Sequence, residues 1–156
     1  MPNLKTSKII QNIQTKSYPK VDHISLTVKD FQKSKVFYTD LFVNYLGGKV
    51  EIEDENLFGI MFQNGFLFEI LAEKPEFKDS QFNRYQVGLH HFSLQLENKK
   101  IIDEIYQKLL ELEVEILDSP AFYPEYADGY YAVFWQDLNS FKMEFMCYES
   151  TKLNNN

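Results

Sequence analysis

The sequence has very little cysteine and arginine. Cys147 is the only cysteine in 156 residues, so no disulfide can form within the chain, and we expect a cytoplasmic protein. Arg84 is the only arginine, which excludes a cluster of arginines for binding phosphate or carboxylate. The first twenty residues contain no continuous apolar run, so we expect no signal peptide. No stretch approaches the roughly 20 apolar residues of a membrane span, so we expect no membrane partner.

Positive charge is also scarce. The chain has 16 Lys and Arg against 23 Asp and Glu, which gives a formal net charge of −7. Because nucleic acids are bound through basic surfaces, we expect no nucleic-acid partner. Hydrophobic residues make up 44% of the chain and include 14 Phe and 10 Tyr. This composition indicates one compact globular domain, or two small halves that share a core, with the aromatic residues in the core, in a ligand pocket or in both.

The most informative feature present is a repeat. The segment His23–Val28 (HISLTV) returns as His91–Leu96 (HFSLQL), and Phe66–Leu71 (FLFEIL) returns as Phe141–Met146 (FKMEFM). Both copies place a histidine in the earlier segment and a glutamate in the later one. A duplicated unit with these residue types at matched points predicts two modules that share one metal site.

Each copy predicts the order strand, helix, strand, strand, strand. The first module covers 21–72, with a helix capped by Asp30, and the second covers 89–148, with a helix capped by Asn98. A linker at 73–88 joins them, with an extension at 1–20 and a tail at 149–156. The predicted strands are Val21–Lys29, Lys49–Glu53, Leu57–Phe62, Phe66–Leu71, Leu89–Glu97, Val114–Leu117, Tyr130–Gln136 and Phe141–Tyr148. We expect a loop at Asp118–Asp128.

Alternation along the strands assigns the polar side chains to one face. His23 and Ser25 share a face on the first strand, and the same parity places His91 and Ser93 together in the second module. The apolar residues between them should face the helices. His90 then falls on the apolar face as a packed or partly exposed residue, and the alternative that His90 is the ligand stays open.

Three motifs occur in order along the chain. They are His23-Ile24-x-Leu26-x-Val28 followed by Ser34-x-x-Phe37-Tyr38-x-x-Leu41, then Gly88-Leu89-His90-His91-Phe92-Ser93-Leu94, then Tyr126–Asp137 running on to Glu144. This ordered set resembles the vicinal oxygen chelate superfamily of glyoxalase I, extradiol dioxygenases and fosfomycin- and bleomycin-resistance proteins, over residues 21–148. The resemblance implies an α+β fold in which two tandem βαβββ modules form a curved sheet around a metal-binding cleft.

The resemblance also implies the site residues. It places the metal ligands at His23, Glu69, His91 and Glu144, which suit one divalent ion of zinc, nickel, cobalt, manganese or iron. Such an ion would stabilise an enolate or oxyanion, and Glu69 or Glu144 would carry the proton as the catalytic group. Further candidates for the substrate pocket are Ser25, Ser93, Tyr126 and Tyr131. Tyr130 and Tyr131 point to opposite faces, and the sequence leaves open which one faces inward.

Departures from the family pattern narrow the expected reaction. The closing tyrosine of extradiol dioxygenases is replaced by Phe134, and no histidine lies in 118–135. Fosfomycin thiol transferases have basic residues near the last metal ligand, and here only Lys142 and Lys152 flank Glu144, which disfavours that activity. Glyoxalase I binds the carboxylates of glutathione with arginine and similar groups, and a single arginine, Arg84, gives little support for such binding. We therefore expect a glyoxalase-like lyase or isomerase acting on a small oxygenated metabolite. The alternative is a non-enzymatic protein that binds a small molecule or antibiotic. The resemblance implies a homodimer, with the site within one chain or across two.

Overall fold

The predicted pattern of one strand, one helix and three strands occurs twice in the computed structural model, which describes residues 19–149. The predicted extension at 1–20 and the tail at 149–156 lie outside the described residues, apart from 19, 20 and 149. The fold is therefore the expected α+β arrangement of two βαβββ modules.

The first module begins its helix where the sequence predicts it. The side chain of Asp30 accepts a hydrogen bond from the backbone N–H of Lys33 at 3.0 Å, which caps the helix. The helix continues as a π-helix over Thr39–Tyr45, and Gly47 turns the chain with φ +74°. The elements are β1 (His23–Val28), α1 (Phe31–Tyr38), β2 (Lys49–Glu53), β3 (Leu57–Met61) and β4 (Leu67–Ala72).

The second module follows a linker that holds a short 3₁₀ turn at Pro75–Phe77. The side chain of Asn98 caps the helix by accepting a hydrogen bond from the backbone N–H of Ile101 at 3.1 Å. The elements are β5 (Phe92–Gln95), α2 (Lys99–Glu111), β6 (Glu115–Phe122), β7 (Tyr130–Gln136) and β8 (Lys142–Tyr148).

The two sheets have the same topology. The strand orders are β1-β4-β3-β2 and β5-β8-β7-β6, and in each sheet the first pair is parallel and the other pairs are antiparallel. The registers also match, because Ser25 lies opposite Glu69 in one sheet and Ser93 lies opposite Glu144 in the other. The sequence repeat is therefore a structural repeat that places polar residues at equivalent points.

Most strand boundaries lie within two residues of the prediction, and two strands differ by more. The sixth strand runs on to Phe122 through Pro120, so the predicted loop at Asp118–Asp128 is wrong over its first five residues. A proline is tolerated there because β6 is an edge strand, and its pairing with β7 shifts register between Ile116 and Asp118 and again between Asp118 and Ala121. The fifth strand is shorter than predicted and begins one residue after His91.

One hydrophobic core joins the two modules. The helix-facing sides of both sheets contribute to it, and the ring centroids of Phe37 and Trp135 lie 6.0 Å apart across the modules. The buried hydroxyl of Tyr38 donates a hydrogen bond to Oδ2 of Asp137 at 2.7 Å. Each sheet also has an opposite side, here called its open face, and the two open faces point away from this shared core. No helix among residues 19–149 is long and apolar enough to span a membrane.

Candidate functional site

The open face of the first sheet carries His23, Ser25 and Glu69. Ser25 donates a hydrogen bond from its hydroxyl to Oε2 of Glu69. His23 is half exposed, and its Nδ1 donates to Oδ2 of Asp22 at 2.9 Å. That hydrogen bond, followed by the nearby charge of Glu69, raises the pKa of His23. Because Nδ1 is engaged, Nε2 is the nitrogen left to bind a ligand, an arrangement common among metal-binding histidines.

The open face of the second sheet carries the equivalent residues. His91 Nε2 lies 3.5 Å from Oε2 of Glu144, whose side chain is only 2% exposed. The other carboxylate oxygen, Oε1, accepts a hydrogen bond of 2.6 Å from the hydroxyl of Tyr130. Burial, with that hydrogen bond next, holds the pKa of Tyr130 well above its usual range, so the phenol remains a donor. Ser93 lies opposite Glu144 in the strand register.

The structure gives the two adjacent histidines different surroundings. His90 and His91 share a contact of 2.8 Å between their Nδ1 atoms, and His90 packs edge-on against Tyr85 at 6.1 Å between ring centroids. The His91 ring therefore faces Glu144 through Nε2, and His90 does not. Burial lowers the pKa of His91, which keeps the imidazole in the neutral form that binds metals.

These residues form two separate groups within one chain. We call His23 with Glu69 the first half-site and His91 with Glu144 the second half-site. No cluster of three or more His, Cys, Asp or Glu side chains suited to a metal occurs in the described part of the chain. Imidazole nitrogen and carboxylate oxygen are suitable ligands for a borderline divalent ion. The donor set therefore fits such an ion only if a first and a second half-site come together.

Tyr131 lies on the helix side, away from both half-sites. Its hydroxyl donates to Oδ1 of Asp103 in α2 at 2.6 Å, Lys99 Nζ sits 4.4 Å from its ring centroid, and it is 5% exposed. Tyr131 therefore does not line the open face, whereas its neighbour Tyr130 does. The pairing of β7 with β8 decides which tyrosine faces the site. Phe134 lies opposite Glu144, and Tyr130 is four positions before Phe134, so Tyr130 lies on the same face of the sheet as Glu144.

Tyr126 belongs to a row of aromatic side chains beside the second half-site. Tyr126 stacks on Tyr123 at 5.6 Å and meets the edge of Tyr130 at 5.6 Å, and Tyr130 meets Tyr148 at 5.5 Å. We call these four residues the tyrosine row. Tyr126 is 62% exposed, so the row offers aromatic surface to a ligand. The sequence left Tyr130 open against Tyr131 and did not single out Tyr148, because the common face of Tyr130 and Tyr148 depends on the register of β7 with β8.

Comparison with sequence families gives one clear match. A family model described as Glyoxalase/Bleomycin resistance protein/Dioxygenase superfamily matches residues 20–138. Uncharacterized protein YqjT of Bacillus subtilis (strain 168) is 30% identical over 123 residues, which cover 78% of this chain and 94% of that protein. The match to the family model includes His23, Glu69 and His91 and ends before Glu144.

Solved structures share the fold. A glyoxylase/bleomycin resistance protein/dioxygenase domain from Frankia sp. EAN1pec has a TM-score of 0.70 and 19% identity, covering 85% of this chain and 100% of that one. The fosfomycin resistance protein FosX of Listeria monocytogenes has a TM-score of 0.63 and 18% identity, covering 86% and 97%. A second FosX structure, complexed with Mn(II) and sulfate, has a TM-score of 0.61 and 16% identity, covering 86% and 94%.

Proposed function

This chain belongs to the Glyoxalase/Bleomycin resistance protein/Dioxygenase superfamily, and we propose that it is a metal-dependent lyase or isomerase acting on a small oxygenated metabolite. The observation that carries the proposal is the equivalence of the two half-sites. Each combines one histidine with one glutamate on an open face, and each glutamate accepts a hydrogen bond from a hydroxyl group. Two such pairs supply the four ligands of one divalent metal.

The metal site is assembled from two chains in this proposal. His23 and Glu69 come from one chain, and His91 and Glu144 come from a second copy. Support comes from the shared core, which is formed by the helix-facing sides of both sheets and leaves both open faces outside it, and from the lack of any group of three ligating side chains within residues 19–149. A two-fold dimer that joins unlike half-sites contains two equivalent metal sites. The FosX complex with Mn(II) shows that a protein of this fold is compatible with a divalent ion.

The metal, when bound, would act as a Lewis acid that lowers the free energy of negative charge developing on a substrate oxygen. The protein would supply the proton transfer. Tyr130 orients the carboxylate of Glu144 through Oε1, and Ser25 orients Glu69 through Oε2. A glutamate oriented in this way can accept a proton from a carbon beside a substrate carbonyl and return it at a neighbouring atom. The near-complete burial of Glu144 keeps competing water away from it.

The tyrosine row supports a second candidate function. Four aromatic rings beside the second half-site offer a stacking surface for a planar or apolar molecule. A protein that only sequesters such a molecule would use this surface without chemistry. Metal dependence separates the two functions, because sequestration by stacking needs no Lewis acid.

The metal content of the full-length protein tests the proposal. We expect about one zinc, nickel, cobalt, manganese or iron ion per chain, because a dimer with two sites has one per chain. His91→Ala should lose most of this metal, whereas the neighbouring variant His90→Ala should lose clearly less, because His90 does not face Glu144 and only contacts Nδ1 of His91.

Two results would contradict the proposal that the protein is a metal-dependent enzyme. The first is a protein that binds none of these ions and gains no thermal stability from them. The second is equal loss of metal in His90→Ala and His91→Ala, which would mean that the assignment of the ligand is wrong. If no ion binds but an aromatic ligand still quenches tyrosine fluorescence, sequestration becomes the better account.

A further inference from the structure

A cavity of about 550 Å³ lies at the carboxyl ends of β1 and β4, and neither His23 nor Glu69 of the first half-site is among the residues that line it. The linker closes one side of it, and the turn between β7 and β8 closes another, where Asn139 Oδ1 accepts a hydrogen bond of 2.9 Å from the backbone N–H of Lys29. This volume is in the range of small-molecule sites. The cavity is built by residues of a single chain, so its existence does not depend on a dimer.

The walls of the cavity are largely apolar. Leu71, Phe77, Phe82 and Phe141 line it, and the rings of Phe82 and Phe141 pack at 4.4 Å between centroids. Phe77 is 57% exposed despite its size. Covering this ring with the apolar part of a ligand would remove hydrophobic surface from water, which favours binding.

The charged residues around the cavity favour an anion. Lys29 and Lys74 line it together with a single carboxylate, Glu73, so the lining carries one net positive charge in a chain whose net charge is −7. Neither lysine forms an ion pair with any residue from 19 to 149, in contrast to Lys35 and Lys108, which are paired with carboxylates. The one net positive charge of the cavity lining would be neutralised by a ligand with one negative charge.

We propose that this cavity binds an apolar monocarboxylate, with its hydrocarbon or aromatic part against the phenylalanines and its carboxylate toward Lys29 and Lys74. Thr27 and Leu71, which line the cavity, follow Ser25 and Glu69 by two positions on the same face. Two strand residues span roughly 7 Å, so one end of a bound molecule lies within reach of the first half-site. The binding itself rests on the cavity alone and stands whether or not the metal site exists.

Three probes of the same shape and different charge test the proposal. They are 3-phenylpropanoate, 3-phenylpropan-1-ol and 3-phenylpropylammonium, titrated into the full-length protein in the presence of EDTA and followed by amide chemical shifts. We expect saturable shifts at Lys74, Phe77, Phe82 and Asn139, with the anion binding about three- to tenfold more tightly than the alcohol and the cation most weakly. Lys29→Gln with Lys74→Gln should remove the preference for the anion while leaving the alcohol bound.

A matched variant controls for the loss of charge. Lys20→Gln with Lys49→Gln removes two exposed lysines that do not line the cavity, and it should keep the preference for the anion. The proposal is overturned if the alcohol binds as tightly as the anion, if no probe binds saturably, or if the control variant loses the preference equally. Binding that appears only after a divalent metal replaces EDTA would also overturn it, because the carboxylate would then be a metal ligand.

Discussion

The hydroxyl of Tyr130 donates a 2.6 Å hydrogen bond to Oε1 of Glu144 across strands β7 and β8. The other oxygen of that carboxylate lies 3.5 Å from His91 Nε2. In the first sheet, Glu69 also accepts a hydrogen bond from a hydroxyl group, but the donor there is Ser25. The two modules therefore keep the oriented glutamate while changing the residue that orients it.

Tyr130→Phe should destabilise the protein. The substitution removes a hydrogen bond to a buried carboxylate, which should lower the free energy of unfolding by about 1–3 kcal/mol. Tyr148→Phe is the control, because Tyr148 is 53% exposed and lies in the same tyrosine row. Urea denaturation of both variants checks the prediction. Equal effects of the two substitutions would mean that the hydrogen bond to Glu144 contributes nothing specific.

Gly129 precedes β7 at a position that excludes larger residues. It has φ +71°, and a Cβ built there would lie 2.0 Å from the carbonyl oxygen of Glu149. Gly65 has φ +81° with nothing within 4 Å of its Cβ position. We expect Gly65→Ala to cost about 1–2 kcal/mol from backbone strain and Gly129→Ala about 3 kcal/mol. Thermal unfolding checks the order, and similar midpoints for the two variants would contradict it.

The buried carboxyl of Asp137 makes stability depend on pH. Burial raises its pKa above 3.8, although Tyr38 and the backbone N–H groups of Asn139 and Phe141 donate hydrogen bonds to it. The folded state then holds this proton more tightly than the unfolded chain does. The resulting stability is fully present below the unfolded pKa and is lost as pH rises through the folded pKa.

Asp137→Asn removes that titration. The free energy of unfolding of the natural protein, relative to this variant, should fall as pH rises from about the unfolded pKa of 3.8 toward neutrality. Asp54→Asn, at an exposed position between β2 and β3, removes the same charge elsewhere on the chain and is the matched control. Urea unfolding over a pH series measures both. A difference that increases with pH would mean that the pKa of Asp137 is lowered rather than raised.

Much of the fold follows from the sequence repeat. Alternation in the first strand, turn signals and the repeat together located all eight strands, and the Asp and Asn residues before the two helices cap them as expected. The repeat places Ser25 and Ser93, and likewise Glu69 and Glu144, at equivalent points of the two modules, and the matching registers of the two sheets agree with this equivalence. These features are local or repeated, so a single sequence contains the information for them.

Other features depend on long-range packing. The π-helix at Thr39–Tyr45 leaves no distinct periodic signal, and β6 passes Pro120 only because it lies at an edge. The choice between Tyr130 and Tyr131 depends on how β7 pairs with β8, which alternation within one strand does not specify. The separation of the half-sites depends on which sides of the sheets share a core, and no local pattern encodes that.

The proposed two-chain metal site is tested most directly by mixing two inactive variants. His23→Ala and His91→Ala should each bind almost no metal alone. In a mixed dimer one site loses both histidines and the other keeps both, so random exchange of subunits should restore about one quarter of the metal bound by the natural protein. A site within one chain would contradict the account, because every chain in the mixture would still lack one histidine and metal binding would not return.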